Sequence, residues 1–472
     1  MTTPADQHPP LPPPGPLPTS SAPTSSTPTS STPTPSTTTI TPTVTSAFPT
    51  TTTTTTEGGG GEPLALWKNK DFGLLWSGAA FSILGMRVSS IAWPLLVIFD
   101  GGSPERAGLV GFAALLPQLV IQLPAGVVVD RWDRKKVMIA CDVIGMVAIG
   151  SVLAALFMGG LSLPHLLIAA FLEGSAAIGY QLSERAAVRA VVHPEQLPTA
   201  LSQNEARSKG AGLLGQPIST GLLSLALWMP FIITVLGHLF SLLTLLAIRT
   251  PFQKERRKAP RSVPTELAEG LRWMHGQKLL RSALVLISVT NIITQVLSLS
   301  MVLIIRESGR SVATIGVIGV ASGIGGLLGA LCASWFMSRL SMSTLFVGTL
   351  LLRFLMIPTI AFTDSPLVLG ALFAAMSWAG GLMNVVGGVY QVQITPEEMQ
   401  GRAGSVSSLV TSGANSLGPL TAGLLLGAVG TTPTVLSAAV VMAVLAGAAA
   451  VAAYRFRPTP EPATNHALPV QV

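Results

Sequence analysis

The sequence predicts an all-α integral membrane protein of twelve transmembrane helices in two pseudo-symmetric six-helix bundles. Three observations predict it. Of 472 residues, 49% are hydrophobic and only 10% charged, against about 25% charged in an ordinary soluble chain. A chain this long cannot build a water-soluble surface from so few charges. Apolar stretches of bilayer-crossing length, roughly 20 residues each, follow one another from residue 73 to residue 454, joined by short Pro- and Gly-containing connections. The chain also repeats itself at a fixed offset of 202 residues: Pro194-Glu195 with Pro396-Glu397, Pro217 with Pro419, and Gly221-Leu222-Leu223 with Gly423-Leu424-Leu425.

The elements follow in order. Residues 1–62 form a low-complexity tail; 43 of the first 56 are Thr, Pro or Ser. Such a segment buries too little apolar surface to offset its ordering entropy and reads as disordered. It lacks the basic region and apolar core of a secretory signal. Spans are expected at 73–98, 107–129, 137–158, 161–181, 203–227 and 229–248, making an N-terminal bundle over 63–248. A connector covers 249–281. It opens on the Lys254–Lys258 charge cluster and continues as an amphipathic helix with Leu267, Leu271 and Met274 on one face, expected at the membrane surface between the halves. Spans at 282–304, 312–337, 341–361, 366–392, 403–427 and 431–454 make the C-terminal bundle, and 455–472 a second tail.

Charge placement gives orientation. With the N-terminus cytoplasmic, 23 of the 28 Lys and Arg residues fall on the cytoplasmic side, as the positive-inside rule requires. Both termini are then cytoplasmic in a multi-pass plasma-membrane protein. The net charge of +7 is thereby accounted for without a nucleic-acid partner. Cys141 and Cys332 lie within apolar stretches and read as packed thiols. No cofactor is implied, and the expected form is a monomer in the lipid bilayer.

A loop signature follows the second span: Gly126-Val-Val-Val-Asp130-Arg131-Trp132-Asp133-Arg134-Lys135-Lys136. Gly126 suits close helix approach, Asp130 suits hydrogen bonding near a helix N-terminus, and Arg131 and Arg134 suit bridges to neighbouring helices. Taken alone, the loop also fits a purely topological role. The signature resembles that of the major facilitator superfamily. Leu66 to Phe72, Asn204 to Arg207, Glu266 to Trp273 and Pro396 to Arg402 resemble its macrolide-efflux and enterobactin-exporter branch. The resemblance covers nearly all of 64–454. It implies the major facilitator fold, outward transport of a medium-sized organic molecule (drug, macrolide, siderophore or secondary metabolite), and a drug:proton antiport mechanism. It also implies a cytoplasmic gate built on Gly126, Asp130, Arg131 and Arg134 that locks the outward-facing state. Gly215, Pro217 and Gly221, with Gly418, Pro419 and Gly423, resemble the family's antiporter motif; ordinary small-residue packing explains them as well. Where the branch carries an acidic residue in span one, this chain has Met86.

Ionisable residues deep in a membrane default to functional hypotheses. Arg87 and Glu173 lie mid-span at similar depth. On the family fold, spans 1, 4, 7 and 10 line the central cavity. Arg87 and Glu173 would then face one space with Asn291, Gln295 and Asn384, as an ion pair beside the substrate in which Glu173 carries the proton. A structural ion pair is the competing reading. Asp142 is a weaker alternative, expected to partner the nearby basic loop. Met86, Trp93, Phe112, Trp378 and Met383 are candidates for a greasy, adaptable wall. Arg353, mid-span in the ninth helix, has no partner the sequence supplies.

Two other classes compete. A membrane enzyme could use Asp130 and Asp133 as metal ligands, although the matching loop in the second half, Ser338 to Ser341, offers none. A membrane sensor or scaffold could act through the N-terminal tail. ATP-driven transport needs a Gly-Lys dipeptide in a P-loop, and the chain has none.

Overall fold

In a computed structural model, residues 66–252 and 263–455 are described. The expectations for the N-terminal tail, the Lys254–Lys258 cluster and residues 456–472 lie outside them. The first half comprises α1 (Lys70–Phe99), α2 (Pro104–Leu115, Pro117–Val120 and Gln122–Arg131), α3 (Arg134–Met158), α4 (Leu163–Val191), α5 (Leu197–Leu225) and α6 (Met229–Ala247). A connector helix (Val263–Gly276) precedes α7 (Lys278–Glu307), α8 (Ala313–Arg339), α9 (Met342–Ile360), α10 (Pro366–Ile394), α11 (Gln400–Val429) and α12 (Thr431–Arg455).

Nine of these helices are each long and apolar enough to cross a membrane, and the bent pieces of α2 together make a tenth. The remaining two, α5 and α11, fall short by composition rather than length. Asn204, Glu205, Arg207 and Lys209 crowd the start of α5, and Ser, Gly and Thr thread α11. Local chemistry sets the ends. Asn69 caps α1 by accepting the Phe72 N–H at 3.1 Å. Gly159 closes α3 at φ +71°, a conformation that favours glycine.

Two expectations change. The second span is bent by 52° between Val120 and Gln122, because Pro124 has no N–H to give to the turn before it. The fourth runs ten residues past its expected end at 181. Its final turns are polar but packed, with Glu184 only 3% exposed and Ala187 and Val188 wholly buried.

Each half packs by the same plan. In the first, α1 meets α5 and α6, α3 meets α4 and α6, and α2 meets α4; in the second, α7 meets α11 and α12, α9 meets α10 and α12, and α8 meets α10. Two main pairs join the halves, α2 with α11 and α5 with α8. They are equivalents under the repeat. A Cβ on Gly108 would fall 2.5 Å from the Pro419 carbonyl oxygen and 2.7 Å from Gly423 Cα, and one on Gly316 would strike Thr220 Oγ1. These contacts lie at the end away from the basic loops. There the buried apolar residues form one core across both halves. At the basic end they form separate clusters in each half. The molecule is therefore sealed at one end and divided at the other.

The connector helix docks on α11 by part of its expected face. Leu271 is exposed and Met274 is buried against Leu280, Leu284 and Val406. Glu269 pairs with Arg402 at 2.9 Å. Gly270 lets the helix settle on the Arg402 carbonyl, which a Cβ would approach to 3.1 Å. The side chain of Leu267 lies outside the described residues.

Candidate functional site

Three adjoining cavities lie along the seam. A central one of about 320 Å³ holds Gln216, Gln295, Ser90 and Ser298 among apolar walls that include Met301 and Phe373. A second, of about 390 Å³, extends through the N-terminal half and is lined by Arg87, Glu173, Gln118, Gln181 and Arg185. A third, of about 380 Å³, extends through the C-terminal half past Asn384, Gln391 and Tyr390. Ser90 and Leu115 border the first two, and Ser408 borders the second and third.

Arg87 and Glu173 thus line one cavity. Gln295 lines the central one and Asn384 the third; Asn291 lines none of the three. Seven helices contribute to the central cavity (α1, α2, α5, α7, α8, α10 and α11), and α4 lines the N-terminal extension instead. Among the wall candidates, Met86 and Met383 line the side cavities. Trp93 is wholly buried inside its bundle.

The expected Arg87–Glu173 ion pair is not formed within 4.0 Å. Arg87 is exposed to the cavity, while Glu173, 3% exposed, turns to α1. Its Oε2 accepts the Trp93 indole N–H at 2.7 Å, and its Oε1 accepts the Ser89 hydroxyl. Two neutral donors one helical turn apart hold the carboxylate where an arginine was expected.

The antiporter-like glycines divide by role. A Cβ on Gly215 would sit 2.9 Å from Arg87 Cβ, and one on Gly418 would sit 2.5 Å from Gln295 Cβ. Each half therefore presses its fifth helix onto a polar residue of its first, Arg87 in one and Gln295 in the other. Gln216, which interrupts Gly215 and Pro217, packs on Gly319 of α8 and reaches the central cavity. Gly423 serves the α2·α11 seal. A Cβ on Gly221 would meet no atom within 4 Å.

The loop signature is also redistributed. A Cβ on Gly126 would meet nothing within 4 Å, because the seal is at the opposite end, so this glycine makes no close approach here. The helix cap falls to Asp133, which accepts the Lys136 N–H at 3.1 Å. Arg134 donates to the carbonyls of Ala186 at 3.2 Å and Phe252 at 3.4 Å, and Lys135 donates to Ile248 at 2.6 Å. These bonds tie the loop to its own half. Arg131 is exposed. No group of three metal-binding side chains occurs among the described residues.

Two buried polar clusters stiffen the N-terminal half. Arg207 meets Glu184 at 3.0 Å, and Asn204 donates to the same carboxylate at 2.7 Å. The other was missed by sequence reasoning. Asp142, wholly buried, takes His238 Nδ1 at 2.9 Å, Ser241 at 2.6 Å and Ser82 at 3.0 Å, not the basic loop. Tyr180 donates to Ser241 at 2.8 Å. Among the described residues His238 Nε2 has no hydrogen-bond partner. The signal was present in α6: Thr234, His238, Ser241 and Thr244, spaced four, three and three, put one polar stripe on an otherwise apolar helix.

Two six-helix halves joined by equivalent helix pairs around a seam of cavities define a major facilitator transporter. The chain belongs to the transmembrane secretion effector family of that superfamily, whose match covers residues 61–469. It is 28% identical over 398 residues to the multidrug efflux pump Tap of Mycolicibacterium fortuitum, spanning 79% of this chain and 92% of that protein. It is 27% identical over 187 residues to macrolide efflux protein A of Streptococcus pyogenes, spanning 39% and 46%. In fold it is similar to a bacterial homologue of the human lysosomal transporter Spinster, in an inward-facing and unoccupied conformation (TM-score 0.65, 14% identity, 83% of this chain and 98% of that one). It is likewise similar to the nucleoside transporter NupG (TM-score 0.63, 15% identity, 81% and 100%). It is a transporter and not an enzyme.

Proposed function

We propose that the chain exports a medium-sized organic molecule in exchange for protons. The basic loops and both termini lie in the cytoplasm, and the conformation described here opens inward. The separated clusters at the basic end and the single core at the other support that assignment of the open side. The efflux relatives support the direction, and the predominantly apolar central cavity, with a few amides and hydroxyls, supports an organic cargo.

The observation that carries the coupling is Glu173. It is a buried carboxylate at the edge of a polar cavity, hydrogen-bonded across α4 to α1 by Ser89 and Trp93. A proton on it turns an accepting oxygen into a donor. The bonds from Ser89 and Trp93 must then rearrange, and they link two helices of the moving half. Proton binding is thereby connected to helix position. The seals α2·α11 and α5·α8 open as the basic end closes, with the loop of Asp130, Arg131 and Arg134 gating that end.

The test is transport of a panel of drugs, macrolides and siderophores into inside-out vesicles, with and without a proton gradient. Gradient-dependent uptake that Glu173→Gln abolishes is expected. Uptake in Glu173→Gln with unaltered gradient dependence refutes the role of this carboxylate, and uptake indifferent to the gradient refutes proton coupling.

A further inference from the structure

Arg353 lies mid-span on α9, a helix that reaches the three cavities around the seam only through Phe346, in the third. Its guanidinium reaches between α7 and α10 instead of lying in lipid. Nη1 donates to Thr294 Oγ1 of α7 at 3.1 Å and Nη2 to the Met376 carbonyl of α10 at 3.0 Å. Gly380 of α10 makes the passage: a Cβ there would lie 2.7 Å from Nη2. No carboxylate pairs with this guanidinium within 4.0 Å among the described residues, and every other wall residue of its chamber is uncharged. That chamber, about 60 Å³, shares Ser298, Ser322 and Phe373 with the central cavity.

An unpaired cation inside a membrane protein is costly and calls for a partner. A guanidinium has five N–H donors, and the two bonds described here orient it without neutralising it. Beside it Ser322 and Ser377 share one hydrogen bond, which leaves one of their two hydroxyl protons free to donate, while Ser298 already donates to the Thr294 carbonyl. We propose that Arg353 forms an anion subsite opening off the central cavity. It takes one small anionic group, either the carboxylate of a bound organic molecule or a free chloride ion. The chamber suits a group of that size and no drug-sized body. In its carboxylate form the proposal narrows the cargo suggested above to organic acids, and to that extent rests on the transport reading.

Binding tests it without a gradient or any transport, so failure of the export reading leaves the result interpretable. The purified full chain in nanodiscs is titrated with sodium chloride, sodium benzoate and neutral benzamide at constant ionic strength in sulfate buffer. The readout is the unfolding midpoint, which a ligand of the folded state raises saturably. Saturable stabilisation by benzoate, with benzamide at least about tenfold weaker (about 1.4 kcal/mol), identifies a carboxylate site. Saturation by chloride, competing with benzoate, identifies a halide site. Arg353→Gln should abolish either effect and Arg353→Lys should retain it more weakly, since an ammonium keeps the charge but not the fork. Gly380→Ala, which keeps the arginine but crowds Nη2, should weaken binding about tenfold (again about 1.4 kcal/mol). It serves as the test where Arg353→Gln does not fold. An unchanged half-saturation in Arg353→Gln or, failing that protein, in Gly380→Ala overturns the proposal. So does the absence of any saturable anion effect in the parent.

Discussion

Gly108→Ala probes the seal between the halves with a single methyl group. That methyl would sit 2.5 Å from the Pro419 carbonyl oxygen and 2.7 Å from Gly423 Cα. Both are backbone atoms, and neither can swing aside as the end of a side chain can. Carbon atoms pack at about 3.5–4.0 Å, so α2 and α11 must separate by roughly an ångström where they cross. Overpacking of this kind costs about 1–3 kcal/mol. The cost falls only on the conformation in which these helices touch, so it becomes a population shift of about 5- to 150-fold away from the sealed end. The shift is read by electron–electron distance measurements between spin labels on Asp100→Cys and Arg310→Cys, two exposed positions at the sealed end on opposite halves. Cys141 and Cys332 are first replaced by alanine. The parent should show a short distance, and Gly108→Ala a substantial longer population. Gly316→Ala, at the equivalent crossing, should shift less, because the atom it meets is the Thr220 hydroxyl. Gly221→Ala, with nothing within 4 Å, should match the parent. Identical distributions in Gly108→Ala and the parent, or an equal shift in Gly221→Ala, would refute the reasoning.

Three further outcomes are expected. Glu184→Gln strands the Arg207 guanidinium in a packed interior and should destabilise the purified protein by about 3–5 kcal/mol; an unchanged thermal midpoint would show that water or lipid headgroups reach the pair. Ser241→Ala removes one interhelical hydrogen bond to Asp142 and the acceptor of Tyr180, so it should cost about 0.6–1.7 kcal/mol, and a double-mutant cycle with Tyr180→Phe should show the two effects to be coupled rather than additive. Pro124→Ala restores the missing donor at the break in α2 and should reduce its 52° bend, read as a longer labelled distance from the start of α2 to its basic end; an unchanged distance would place the cause of the bend outside the proline.

The twelve-helix plan and its two halves were legible because they rest on hydropathy, charge placement and a repeat, all of which survive as one-dimensional patterns. The exceptions have physical reasons. The polar end of α4 stays helical because Glu184 and its neighbours are packed by other helices rather than by lipid. Pro124 marked a break in α2, but a proline within a span does not tell where the chain bends or by how much. For the site, depth along the chain grouped Arg87 with Glu173, and both line one cavity. It could not tell that Trp93 and Ser89 occupy the carboxylate, because that depends on which way the side chain turns. Asp142 was visible as a buried carboxylate, whereas its partner His238 lay on another helix 96 residues on, and only the polar stripe of α6 pointed to it. Arg353 had no reading from sequence because its guanidinium passes between two other helices through space that Gly380 leaves open.

The most direct test of the account compares Glu173→Gln with the parent in two assays on the same inside-out vesicles: uptake driven by a proton gradient, and exchange of labelled for unlabelled substrate at equilibrium without one. If Glu173 carries the coupling proton, the substitution abolishes gradient-driven uptake and leaves equilibrium exchange in place, since the substrate cavities and both seals are intact. Gradient-driven uptake at the parental level in Glu173→Gln would contradict it.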